Sequence, residues 1–278
     1  MTRRELVVAA LASGAGAAGQ TGRGKVIDAH NHLNYRNKPT WAEDDRKLID
    51  AADKLGIDQL CCSILPPERP TTQEGYRNCN RWLVEAIKRF PGRVLGYCFV
   101  NPRYGQDALD EIRRYIEEHG FIGVKLYNDV KVTDPSMAPL LELMARLKAP
   151  LLHHAGHTTW LPSPQPLISD AGDFAEAAKR FPETIFICAH ICGGGDWEWS
   201  IKALRDAKSV YFDTSGSVAD EGTVEMAVRT LGADRVLFAC DLSMTASVGR
   251  IRGAEIGEGD RRKIFGDNMQ RILNRRRA

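Results

Sequence analysis

The segment Val26-Ile27-Asp28-Ala29-His30-Asn31-His32 starts as an apolar strand and ends in two imidazoles. Side chains two apart on a strand leave the same face, so His30 and His32 project together. Seven more short runs rich in Val, Ile, Leu and Phe follow, at residues 57–65, 94–101, 122–127, 150–156, 184–191, 209–214 and 235–241. Runs that are apolar almost throughout are the pattern of parallel strands covered on both faces. Helical periodicity fills the gaps. Leu48, Ala51, Ala52 and Leu55 form one stripe that stops at Gly56, and Leu109, Ile112 and Ile116 form another that closes at Gly120. Phe174, Ala177, Ala178 and Phe181 form a third, stopped by Pro182. Asp134-Pro135 reads as the cap and first turn of a helix ending before Leu147. Eight strands alternating with helices in 278 residues predict an α/β chain folded as one domain, a (β/α)8 TIM barrel, which takes roughly 250 residues. No Gly-x-Gly-x-x-Gly follows the first strand, which argues against a dinucleotide-binding sheet.

The hydrophobic fraction of 43% and charged fraction of 27% are those of an ordinary globular chain. A net charge of +2 gives no field that would draw the protein to nucleic acid, and Arg275-Arg276-Arg277 reads as a solvated end. No feature points to a membrane-binding role, and the partner this composition suits is a small-molecule substrate. The seven cysteines are scattered, with Cys98, Cys188 and Cys240 inside apolar runs, so they read as buried free thiols rather than a disulfide framework. Cys188 and Cys192 flank His190 at a spacing that is poor for a zinc knuckle. Residues 1–23 differ from the rest. Thr2-Arg3-Arg4-Glu5-Leu6-Val7 resembles a twin-arginine export motif, and an apolar stretch too short to span a bilayer follows it. The expectation is a leader over 1–23 that exports the protein to the periplasm, followed by the barrel over 24–278. The alternative is a flexible leader on a cytoplasmic enzyme.

Barrel enzymes carry their chemistry at the C-terminal ends of the strands. The first run ends in His30 and His32, the fifth in His153-His154, the sixth in His190 and the eighth in Asp241. Imidazoles and a carboxylate converging from separate strand ends suit a borderline divalent cation such as zinc. Neighbouring strand residues face opposite sides, so only one of His153 and His154 can point inward. Lys125 ends the fourth run, where a lone charge would normally be excluded. Loops after the strands supply candidate substrate contacts: Arg103 as a carboxylate clamp or a surface ion pair, Tyr127 and Asn128 after Lys125, His157 and Trp160 after the fifth strand, and Trp197 after Gly193-Gly194-Gly195-Asp196. Those glycines lack a P-loop lysine and read as room for a pocket.

Asp28-Ala29-His30-Asn31-His32, Gly123-Val124-Lys125-Leu126, His154-Ala155-Gly156, Ala189-His190-Ile191-Cys192-Gly193, Cys240-Asp241 and a closing segment from Ile264 to Leu273 together resemble the amidohydrolase superfamily, in its order and over nearly the whole chain. Within it the sequence is similar to the branch that holds aminocarboxymuconate-semialdehyde decarboxylase, resorcylate-type decarboxylases and several lactonases. The resemblance implies that His30, His32 and His154 bind metal, and that Asp241 binds metal, handles a proton, or does both. It makes His190 a ligand or an acid beside the ligands. It selects His154 over His153, which then packs outward. Lys125 stands where binuclear members carry a carbamylated lysine bridging two metals, and the alternative is an ammonium that pairs with a carboxylate or binds a substrate anion. The implied cofactor is one or two divalent ions, zinc foremost and manganese second, and many members are homodimers.

A bound divalent cation lowers the pKa of its water to about 7 and polarises a carbonyl. With Asp241 as proton shuttle and His190 beside it, this predicts a hydrolase of a small cyclic ester or amide, such as a lactone. The same donors serve a non-oxidative decarboxylase, which is the alternative reading. A catalytically idle metal-binding barrel is the third, and an intact Asp241 argues against it.

Overall fold

A computed structural model describes residues 24–276, apart from 35, 37–38, 67, 158–163, 192, 194 and 219. The expected leader, Trp160 and Cys192 therefore lie outside the described residues. Eight strands pair in chain order, every neighbour parallel: β1 (Ile27–Asn34), β2 (Gln59–Leu65), β3 (Val94–Phe99), β4 (Gly123–Leu126), β5 (Leu151–His153), β6 (Phe186–Cys188), β7 (Val210–Asp213) and β8 (Val236–Leu237). The ring is joined where the Ala29 amide donates to the Phe238 carbonyl at 2.9 Å and the Asp241 amide to the His30 carbonyl at 2.8 Å. Outside lie α1 (Trp41–Leu55), α2 (Gln73–Arg89), α3 (Gln106–Glu117), α4 (Ala138–Arg146), α5 (Ala171–Arg180), α6 (Trp197–Ala203), α7 (Thr223–Leu231) and α8 (Met244–Gly253), with α9 (Glu258–Arg262) and α10 (Asn268–Arg275) closing the chain. The stripe-and-glycine reading holds locally: Gly56 ends α1 in the left-handed region at φ 73°. Asp134 caps a short 3₁₀ turn at Pro135–Met137, and α4 begins only after it. No described helix is long and apolar enough to cross a membrane.

Strand parity divides the core. Leu60, Cys62, Val124, Leu151, Phe186 and Phe212 face the helices, while Ile27, Ala29, Cys61, Tyr97, Leu152 and Ile187 fill the barrel. Met269, Ile272 and Leu273 of α10 plug its N-terminal end. The turn at Lys263–Asp267 that delivers this plug runs against β1, and a Cβ at Gly266 would sit 1.7 Å from the Lys25 carbonyl oxygen, so only glycine fits. The register of β1 on β2 shifts between Asp28 and Asn31, a bulge that lets Ala29 fill the interior while His30 and His32 turn into the mouth. The six described cysteines are buried free thiols.

Seven of the strands are shorter than their apolar runs, mostly at the C-terminal ends, whereas β1 runs on past His32 to Asn34. His154, His190 and Asp241 lie just past β5, β6 and β8 rather than within them. After β6 and β8 the backbone turns left-handed, with His190 at φ 66°, Asp241 at φ 43° and Leu242 at φ 70°, a conformation foreign to a strand that costs a non-glycine residue about 1–3 kcal/mol. Lys148 is the one other described non-glycine residue with positive φ, so backbone strain gathers at the mouth.

Candidate metal centre

β1 brings the His30 and His32 Nε2 atoms to 3.2 Å from each other. The turn after β8 adds Asp241, whose Oδ1 lies 3.0 Å from His32 Nε2 and 3.8 Å from His30 Nε2. The other nitrogen of each imidazole is already engaged, His30 Nδ1 with Asp213 Oδ2 at 2.9 Å and His32 Nδ1 with Ser63 Oγ at 3.0 Å. A carboxylate that accepts from Nδ1–H fixes the tautomer and leaves the Nε2 lone pair free, the support that metal-binding histidines have. Ligand atoms about 2.1 Å from one ion sit roughly 3.0–3.4 Å apart, a spacing that two of the three distances in this trio match and the 3.8 Å between His30 and Asp241 exceeds. Two imidazole nitrogens and a carboxylate oxygen thus fit a borderline divalent cation.

Asp213 organises the neighbouring half of the site. Its Oδ1 accepts from the amides of His190 at 2.9 Å and Ser215 at 3.0 Å and from Ser215 Oγ at 2.6 Å. Because the Ser215 hydroxyl proton goes to Asp213, its oxygen is left to accept from His190 Nδ1 at 2.8 Å. That leaves the lone pair of His190 on Nε2, which faces His154 Nδ1 at 2.9 Å. Arg250 on α8 holds the loop carrying Ser215 by donating to the carbonyls of Thr214, Gly216 and Val218 at 2.6, 3.0 and 2.9 Å. Gly193 lets the loop after β6 pass, since a Cβ there would meet His190 Cβ at 2.6 Å. Asp28, buried at the base, accepts from the amides of His30 and Cys240 and from the Asn31 side chain, tying β1 to the segment that bears Asp241.

Burial dominates the electrostatics. It pushes His30, His32 and His154 below the ordinary imidazole range and His190 down to about 4, which favours the neutral rings. Burial pushes the Asp213 and Asp241 carboxyls up, but the surrounding imidazoles outweigh it and hold both below the usual carboxylate range. Burial pulls Lys125 down to about 8 against the opposing pull of Asp241 and Asp213.

The sequence model of the amidohydrolase family matches residues 27–275. The chain belongs to the amidohydrolase family. It is 24% identical to the gamma-resorcylate decarboxylase of Polaromonas sp. (strain JS666 / ATCC BAA-500), covering 84% of this chain and 91% of that one. Among solved structures it resembles a 2,6-dihydroxybenzoate decarboxylase from Rhizobium (TM-score 0.71, 18% identity, 90% and 98% of the two chains covered). It also resembles a dihydroxybenzoic acid decarboxylase from Polaromonas sp. JS666 with bound manganese and the inhibitor 2-nitroresorcinol (TM-score 0.71, 19% identity, 92% and 98% covered). At these identities the structural likeness speaks to the fold.

In this amidohydrolase the residues singled out from sequence divide into two sets. His30, His32, His190 and Asp241 meet as described. His154 stands at the same mouth, but its Nδ1 faces His190 rather than the His30–His32–Asp241 trio. His153 is buried on the other side, its ring edge-on to Phe174 of α5 at 5.9 Å. Lys125 is fully buried with Nζ 3.0 Å from His30 Nε2, and the Tyr127 hydroxyl lies 3.3 Å from His32 Nε2. His157 pairs with Asp170 at 2.7 Å, and Trp197 Nε1 donates to Asp220 at 2.8 Å. Asn128 keeps a buried Oδ1 without a hydrogen-bond partner. Arg103 is exposed, and its charge falls on Asp129 and Asp134 rather than on the histidines.

Sequence reasoning missed Asp213, Ser215, Ser63 and Arg69. Arg69, in the loop after β2, lays its guanidinium 3.5 Å over the Tyr127 ring, and its charge acts on Lys125 and His154. Asp213 was open to the test that singled out Lys125, a charge ending an apolar run. The seventh run was read one residue too far, to Thr214, which hid it. Ser63 and Ser215 carry no comparable signal.

Proposed function

We propose that this chain is a metal-dependent, non-oxidative decarboxylase of a small phenolic acid. The observation that carries the reading is the pair of cations beside the imidazoles, Lys125 with Nζ 3.0 Å from His30 Nε2 and Arg69 over Tyr127. These cations pair with a carboxylate already in the ground state, whereas a neutral lactone or amide would engage them only as charge develops on its oxygen. The curated relative matched across most of both chains, a gamma-resorcylate decarboxylase, supports the same choice over lactone or amide hydrolysis.

His30, His32 and Asp241, with His190 or His154 completing the set, would hold the cation, which when bound would neutralise charge on the substrate oxygens. Manganese in the Polaromonas structure supports that ion as a candidate alongside zinc. Lys125 and Arg69 bind and orient the carboxylate. Asp241, held ionised by the imidazoles around it, is the group placed to accept a proton from the substrate and return it to the ring carbon as the bond to the carboxylate breaks and carbon dioxide leaves. Tyr127 and the buried histidines keep bulk water from that carbon.

The test is product analysis with manganese- and zinc-loaded protein on 2-hydroxybenzoates, beside a panel of lactones and amides. Carbon dioxide release without water addition is the expected result. Ring opening of a lactone or cleavage of an amide, with no carbon dioxide from any acid, overturns it in favour of hydrolysis.

A further inference from the structure

A groove leaves the cluster between the loop after β5 and the helix after β6. His190 and Gly193 line its inner part, His157 and Asp170 come from one side, and Trp197 and Trp199 come from the other. Trp199 is 70% exposed, the most exposed large apolar side chain among the described residues. Leu167 and Leu242, the other large apolar side chains exposed among the described residues, also follow strand ends at this face.

The groove is aromatic and carries one exposed carboxylate. Trp197 Nε1 is held by Asp220, and the two nitrogens of His157 by Asp170 and the Gln165 carbonyl, so Asp170 is paired within the groove wall. Asp196 is exposed beside the indole faces and the Ser200 hydroxyl. The nearest cation along α6, Lys202, is engaged with Glu198 at 3.5 Å and stands 5.3 Å from the Trp199 ring. Lys125 and Arg69 belong to β4 and the loop after β2, whereas Asp196, Trp197 and Trp199 belong to the helix after β6, so the mouth is basic on one side and acidic and aromatic on the other.

We propose that this groove is the subsite for the end of the substrate remote from its reacting carboxylate, taking an aromatic arm that carries a hydroxyl or amino donor and rejecting a second carboxylate. The Asp196 carboxylate pairs with a donor, indole faces attract rings and cations, and a second anion beside Asp196 would meet like charge. The substrate class is then a phenolic monoacid extended by a donor-bearing group. The identity of the head rests on the decarboxylase reading, whereas the subsite itself does not.

The experiment is calorimetric titration of the full chain with tyramine and with 4-hydroxyphenylacetate, which present a similar ring with opposite charges. The proteins are the wild type, Trp199→Ala and Asp196→Lys, both altered at exposed positions. Tyramine affinity should fall about fivefold in Trp199→Ala and about tenfold in Asp196→Lys. The acid should bind no more weakly to Asp196→Lys than to the wild type. Tyramine binding that is absent, or unchanged within twofold by both substitutions, overturns the proposal, and so does an equal loss of both ligands in Asp196→Lys. None of these readouts needs turnover, so failure to release carbon dioxide would count against the decarboxylase alone.

Discussion

At its N-terminal end the barrel is filled by Ile27, Cys61, Tyr97, Ile122 and Ile185 and plugged by α10. At the other end, toward or past the C-terminal ends of the strands, stand His30, His32, Lys125, Asp213 and Asp241. The first end meets its polar needs within the ladder and keeps regular strand geometry. The second breaks the ladder with a bulge in β1 and three left-handed residues, and it buries charges that only one another stabilise. The comparison teaches that stability and chemistry are separated along each strand, so a substitution should affect one or the other according to its height in the barrel.

The largest effects should come from the mouth. His30→Ala/His32→Ala or Asp241→Asn should lower kcat/KM by at least ~10³-fold. Elemental analysis of the double variant should find the bound divalent ion lost, while calorimetry finds a folded protein. Retention of one full equivalent of metal in that variant would remove the assignment. Ile185→Ala, in the interior below β6, should do the reverse: a cavity costing about 2–5 kcal/mol in urea unfolding, with activity per folded molecule little changed.

Asp213→Asn tests the support of the site. It keeps the shape but weakens the acceptor for His30, His190 and Ser215, and metal affinity by chelator competition should fall about 10–100-fold. An unchanged affinity would make Asp213 a structural residue only. A pH series on metal-free protein sharpens the same contrast. In the unfolded chain His153 and His190 take protons near 6.5, and in the folded one burial delays this to about 4. The unfolded state therefore binds more protons in that window, so stability should be full above about pH 6.5 and fall as pH drops toward 4. A flat profile would mean the rings are not buried neutral. The smallest effect expected is from Arg250→Lys, which keeps a cation but not three hydrogen bonds to the Ser215 loop. Metal affinity should drop by only about three- to tenfold with the melting temperature nearly unchanged.

The amino-acid pattern determined the barrel itself, because eight apolar runs with helical stripes between them can bury their surface in few other ways. It also determined that His30, His32, His190 and Asp241 would meet, because a parallel barrel gathers all its strand ends at one face. What had to wait for the folded chain were the features that depend on several strands at once. Asp213 supports His30 and His190 only because β7 lies beside β6 and near β1. His154 turns to His190 rather than to the trio because its backbone has already left β5. Arg69 reaches Tyr127 because the loop after β2 folds over β4, a path that no periodicity encodes. Local patterns report which face a side chain leaves by, and only packing settles what it then meets.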